Sequence, residues 1–193
     1  MLATAAELLR ETGAGGVTID AVLARSGCPR GSVYHHFPGG RAQLLQEALQ
    51  FAGDEITAAI EATVSGDGTT LLREFAGMWR DALASSGYTA GSPVLAAAIG
   101  AAPDERQLAV AAAEILQRWR DAAAEAFRRE GFDAVEARAL AHTTIAALEG
   151  AVALCRSLRT LEPLDDVAGE MEFLIKAREF VLKSGISASV ATA

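Results

Sequence analysis

Apolar residues recur at three- and four-residue spacings along almost the whole chain, and no stretch alternates with period two, so the pattern predicts helices throughout. A first helix is expected over residues 2–12, ended by "TGAGG", whose glycines supply left-handed positions. Thr18 caps a second helix that turns Ile19, Val22 and Leu23 inward. "SGC" makes a tight turn, Pro29 takes the first position of a short third helix, and "PGG" stops it. A longer helix opens at Arg41 and runs to about Thr63. Beyond "SGDG" at 65–68, helices are expected at 69–86, 93–101, 104–130, 134–159 and 165–184, joined by short loops with ordinary turn residues. Asp104 and Asp133 are placed as caps for the two longest, and "SGISASVATA" as a frayed tail. The fold class is therefore all-α: a three-helix head over residues 1–46 and a helical-bundle body over residues 47–193.

Two helices joined by a tight glycine turn describe a helix-turn-helix. Ile19, Val22, Leu23, Cys28, Val33 and Phe37 fill its inner positions. On a helical wheel started at Pro29, Val33 and Phe37 fall together at about 40° and 80°, whereas Arg30, Gly31, Tyr34 and His35 occupy the arc from about 100° to 240°. That arc is polar and sterically low at Gly31, which suits a helix whose side chains reach base edges while its backbone comes close. Tyr34 has a competing structural role as a ring wedging the third helix onto the first. His36 falls near 340°, beside the packed face, so a buried, hydrogen-bonded role competes with a surface contact.

The run "VTIDAVLARSGCPRGSVYHHFPGGRAQLLQEAL" resembles the DNA-binding domain of the TetR family of bacterial repressors. The residues that carry the resemblance are Thr18, opening the second helix; Ala24 and Gly27 in the turn; Gly31, Ser32, Val33, Tyr34, His36 and Phe37; and Arg41 at the start of the fourth helix. "HHFPGG", with "GSPVLAAA" further on, is most similar to the LmrA/YxaF branch. The resemblance is strong over residues 1–49 and beyond them rests on helix number and length. It implies a homodimer that binds a palindromic double-stranded operator through two major-groove helices. Arg30, Gly31, Ser32, Tyr34 and His35 would face the groove, and Thr18, Tyr34, His36 and Arg41 would hold phosphates. Two features depart from the family. Arg41 stands where lysine is usual, and the chain starts almost within its first helix, so either the start is truncated or a basic clamp is missing.

Charge tempers this reading. The formal net charge is −8, yet residues 1–46 hold four arginines against three carboxylates, a local +1 that leaves −9 for the rest. A head so weakly basic implies a shallow salt dependence, because each neutralised phosphate contributes about −0.9 to the log–log slope. Cys28 and Cys155 lie far apart, which argues against a disulfide or metal framework and for a cytoplasmic setting; no signal peptide or spanning run is expected. No nucleophile elbow, Walker loop, dinucleotide fingerprint or zinc spacing is present, so enzyme, cofactor and metal readings are set aside.

In the body, the resemblance implies a dimer interface and a cavity for a small effector, apolar or aromatic by analogy with the branch. Ala139, Ala146, Gly150 and Ala153 form a small-residue stripe, and Met171, Leu174, Ile175 and Arg178 recur at helical spacing, so these are the candidates for dimerisation. The same faces could instead pack within one protomer. Phe75, Met78, Trp79, Leu116 and Trp119 are candidates to line a cavity for a planar apolar ligand, and an ordinary core would use them equally well. His142, Thr143, Glu149 and Cys155 are the polar groups able to orient such a ligand. The alternative to a regulator is a helical module whose N-terminal region docks another protein.

Overall fold

A computed structural model describes residues 1–63, 67–100 and 106–184, and the regular structure among these residues is α-helical. The first helix, α1 (Leu2–Gly16), breaks at Gly13, whose φ of 70° and ψ of −177° end the regular turns where expected; one further turn follows. Thr18 caps α2 (Ile19–Ser26), its hydroxyl accepting from the Ala21 amide at 3.0 Å, and Gly27 closes that helix at φ 66°. The short α3 (Arg30–His36) starts one residue later than expected, because Pro29 has a helical φ of −63° but an extended ψ of 143° and serves as the cap. Next, α4 (Gly40–Thr63) runs without interruption across the expected boundary between residues 46 and 47. Head and body are therefore joined by one continuous helix.

The body consists of α5 (Gly68–Ser85), α6 (Pro93–Gly100), α7 (Arg106–Arg129), α8 (Ala134–Leu158) and α9 (Glu162–Lys183). Asp133 caps α8 as expected, accepting from the Val135 and Glu136 amides at 2.8 Å. Two starts differ from the sequence reading. Asp67 caps α5 through the Thr70 amide at 2.6 Å, and α9 begins at Glu162, three residues early, because Pro163 suits a first helical turn and Leu164 is fully buried beneath it. Asp104, residues 65 and 66 of the expected linker and residues 185–193 of the expected tail lie outside the described residues.

One turn of α4 is fastened to α7 at three consecutive points. A Cβ on Gly53 would lie 2.6 Å from Ile115 Cδ1, so only glycine permits this approach. Asp54 pairs with Arg118 at 3.0 Å, and the buried Trp119 indole N–H donates to the Thr57 hydroxyl at 3.0 Å. Trp119 also meets Phe75 edge-on, with ring centroids 6.1 Å apart. Burying side chains of this size stabilises the fold by about 2–3 kcal/mol each before entropy is counted.

The break at Gly13 leaves carbonyls at the end of α1 without helical partners, and other elements supply them. Gly91, ahead of α6, donates its amide to the Arg10 carbonyl at 2.9 Å, and Arg156 of α8 donates to the Glu11 carbonyl at 2.9 Å. Arg41 donates to the Ala14 and Val17 carbonyls at 2.7 and 2.8 Å. The head is thus hydrogen-bonded both to the body and to the start of α4.

Candidate nucleic-acid interface and effector cavities

Val33 and Phe37 are buried, and they hold α3 onto the head with Val22 beneath and Ile19 and Leu23 packed alongside. The opposite arc is open. Arg30, Gly31, Tyr34, His35 and His36 are exposed, and Ser32 is half-buried. Tyr34 is 55% exposed, so it does not wedge α3 onto α1, and His36 likewise takes no buried role. A Cβ on Gly31 would meet nothing within 4 Å, so nothing within the described residues crowds this position.

The head's arginines are engaged within the protein, which the sequence pattern did not reveal. Arg25 forms a two-pronged pair with Glu11 at 2.6 and 2.8 Å, tying α2 to α1 and holding the Glu11 carboxyl below its usual range. Arg10 pairs with Glu55 at 2.9 Å, and Arg30 pairs with Asp20 on the open face. Arg41, expected on a phosphate, donates from its guanidinium to the Ala14 carbonyl of α1 and to the Val17 carbonyl just after it. Exposed pairs such as Arg30–Asp20 contribute little and exchange readily for a phosphate, whereas the Arg41 bonds hold the fold together.

The candidate effector residues are divided among different places. Phe75 and Met78 line a cavity of about 620 Å³ between α4 and α5, with Ile60, Leu71, Glu74 and Asp81. Leu116 and His142 line a second of about 360 Å³ between α6, α7 and α8, with Leu95, Ile145, Arg120 and Glu149. Trp79, Trp119 and Cys155 are buried and border neither, which places these three in the core. Burial pushes the Cys155 thiol up, as befits an inert filler.

On α8 the stripe of Ala139, Ala146, Gly150 and Ala153 is exposed, together with Thr143. The expected stripe on α9 is displaced. Met171 and Ile175 are buried in the protomer and Leu174 is half-buried, so of that group only Arg178 is exposed. Among the large apolar groups left on the outside are Phe173 (71% exposed) and Phe180 (68%) on α9 and Leu154 and Leu158 on α8; Ile99, Val110, Val135 and Leu182 are also exposed. Phe173 and Phe180 are seven residues apart and share a face; that spacing was the available signal, masked by a second apolar register on the same helix.

A short helix, packed on one side and open on the other, following a glycine turn on a two-helix support, is the reading head of a helix-turn-helix DNA-binding regulator. The chain belongs to the TetR family of bacterial transcriptional regulators. The family model for bacterial regulatory proteins of the tetR family matches residues 1–48, and that for the LmrA/YxaF-like transcriptional regulator C-terminal domain matches residues 69–170. An HTH-type transcriptional regulator of Mycobacterium tuberculosis is 38% identical over 182 residues, covering 92% of this chain and 93% of the relative. The HTH-type transcriptional regulator LmrA of Bacillus subtilis is 25% identical over 180 residues, covering 91% of this chain and 95% of the relative. Among solved structures, a TetR regulatory protein from Rhodobacter sphaeroides superposes with a TM-score of 0.76 at 24% identity, over 89% of this chain and 95% of that one. Among the described residues, no helix is long and apolar enough to cross a membrane.

Proposed function

We propose that this regulator is a repressor that binds a palindromic operator as a homodimer in the cytoplasm and is released by a small effector held in its body. The carrying observation is the outer face of α3, where Tyr34 and His35 stand exposed beside the open space at Gly31, above a core of Val33 and Phe37. Arg30, Gly31, Ser32, Tyr34 and His35 would meet the major groove; Thr18 and His36 would meet flanking phosphates; and Arg41 would act chiefly by fixing α1 against α4. The head over residues 1–46 reads the operator, and the body over residues 47–193 dimerises and takes the effector.

Dimerisation is supported by the unpartnered face of α8 and α9. Phe173 and Phe180 on α9 are exposed, as are Leu154, Leu158 and the small residues Ala146 and Gly150 on α8, a combination that would let two helix pairs meet as a four-helix bundle. Such a dimer must hold its two α3 helices about 34–36 Å apart to meet successive major grooves. An effector that prefers the body with the heads at another separation shifts the population off the operator.

Fluorescence anisotropy with the palindromic duplex upstream of the protein's own gene tests the reading. Tight binding there and weak binding to a scrambled duplex is the expected result. Equal affinity for both defeats it and favours the alternative, a head that docks another protein.

A further inference from the structure

Glu149 lies near the middle of α8, in a stretch of alanine, leucine and glycine from Ala146 to Ala151. It is 4% exposed, and neither of its carboxylate oxygens has a hydrogen-bond partner. The neighbouring Ser92 hydroxyl accepts from the Leu95 amide at 3.1 Å and keeps its own proton to offer; it favours the charged carboxylate and so opposes the burial, yet no hydrogen bond to either Glu149 oxygen is formed. An alanine at this place would continue the helix and bury no charge, so the carboxyl is a standing cost to the fold. Buried polar groups are nearly always paired, and one that is not, facing a cavity, marks a place where something else supplies the partner.

That cavity is the 360 Å³ space between α6, α7 and α8. Leu95, Leu116 and Ile145 give it an apolar wall, while Glu149 is its acidic group. Arg120 borders it too, but its guanidinium is taken by Asp121 at 2.7 and 2.8 Å and forms no bond to Glu149. His142 borders it from the exposed side of α8. The other candidate cavity, between α4 and α5, carries no comparable buried and unpaired group among its lining residues.

We propose that the cavity between α6, α7 and α8 binds an apolar amine, its protonated nitrogen on Glu149 and its hydrocarbon body against Leu95, Leu116 and Ile145. A cation supplies the donors that the carboxylate lacks, and the interaction strengthens in the low dielectric that makes the empty site costly. The apolar wall selects against small hydrophilic amines, and the volume admits a body of two fused rings. This sharpens the effector reading given above and rests on it only for the consequence that binding reaches the operator.

Naphthylmethylamine, naphthylmethanol and naphthoate share one body and differ at the head group, so titrating each into the full-length protein, followed by ligand fluorescence, isolates the role of Glu149. The amine is expected to bind about tenfold or more tightly than the alcohol, with the acid weakest. Glu149→Gln should remove the preference for the amine and leave alcohol binding unchanged, and Leu116→Trp should abolish binding of both by filling the space. Equal binding of amine and alcohol, undiminished amine binding by Glu149→Gln, or no amine binding by the parent protein would overturn the site. Operator anisotropy measured in the same samples decides the other reading independently. Amine binding that leaves the operator complex intact would defeat effector control while keeping the site.

Discussion

Arg156 of α8 donates a hydrogen bond to the Glu11 carbonyl of α1 at 2.9 Å, bringing the body's longest helix into contact with the head. The contact is close-fitting, because a Cβ on Gly91 would lie 2.5 Å from an Arg156 guanidinium nitrogen. Gly91 itself holds the adjacent Arg10 carbonyl. Replacing Arg156 by methionine keeps much of the packing and leaves the Glu11 carbonyl without this donor. A loss of about 1 kcal/mol in thermal unfolding is expected, together with weaker release of operator by effector at unchanged effector affinity. Unchanged release would show that this contact carries no coupling.

Tyr34→Ala removes an exposed ring that supports nothing within the chain. Operator affinity should fall by at least about a hundredfold, on the order of 3 kcal/mol, while the melting temperature stays within experimental scatter. Calorimetry and anisotropy on the same preparation separate the two effects.

Asp20 is exposed and pairs with Arg30 beside the proposed operator face. Asp20→Asn releases the guanidinium and removes a negative charge near the phosphates, so tighter operator binding is expected. The log–log salt slope should steepen by about 0.9 if Arg30 takes one phosphate. A slope that does not change means that Arg30 reads a base or stays clear of the duplex.

These charge partners mark the limit of what the sequence made legible. The nine helices among the described residues were readable because period 3.6 is a local property, and the open arc of α3 followed from Pro29, Gly31, Val33 and Phe37 alone. The diversion of Arg41 onto Ala14 and Val17 depends on two elements meeting across 24 residues of chain or more, and nothing in "PGGRAQ" announces it. Met171 and Ile175, candidates for a dimer face, lie inside the protomer while Phe173 and Phe180 lie outside, because α9 carries two apolar registers and only packing decides which is inside. Glu149 was one of four polar candidates on α8; its burial singles it out, and burial is not visible in a sequence.

Glu149 also gives a pH signature. Burial raises its carboxyl from the ordinary 4.5 to about 7, so the native state favours the neutral acid. A raised acid leaves stability intact below its unfolded value and drains it as pH climbs through the native value, here from about 4.5 to about 7. Glu149→Gln lacks this titration, and its advantage over the parent should grow across that window by up to about 3 kcal/mol. Urea unfolding at pH 4.5, 6 and 8, or nearby values, measures it. Arg120 and His142 border the same cavity, and what cancels in the difference between variant and parent is the part of their contribution that does not depend on the Glu149 charge. An advantage that does not vary with pH would mean that Glu149 ionises freely in the native protein.

Phe173→Glu and Phe180→Glu place charges on the outer face of α9 without touching the protomer core. Each should shift the protein from dimer to monomer in sedimentation velocity while leaving its helical circular dichroism unchanged. A persistent dimer would place the interface elsewhere on the body.

The fastening of Gly53, Asp54 and Thr57 to α7 gives α4 a fulcrum. From Gly40 to Gly53 the helix rises about 20 Å, so a tilt of about 6° at that point swings its head end by about 2 Å. In the proposed two-fold dimer the two swings would add, giving about 4 Å between reading helices whose spacing must match one turn of duplex. In such a dimer, a tilt of a few degrees about this point is therefore enough for the leverage of one rigid helix to make the pair misfit its operator.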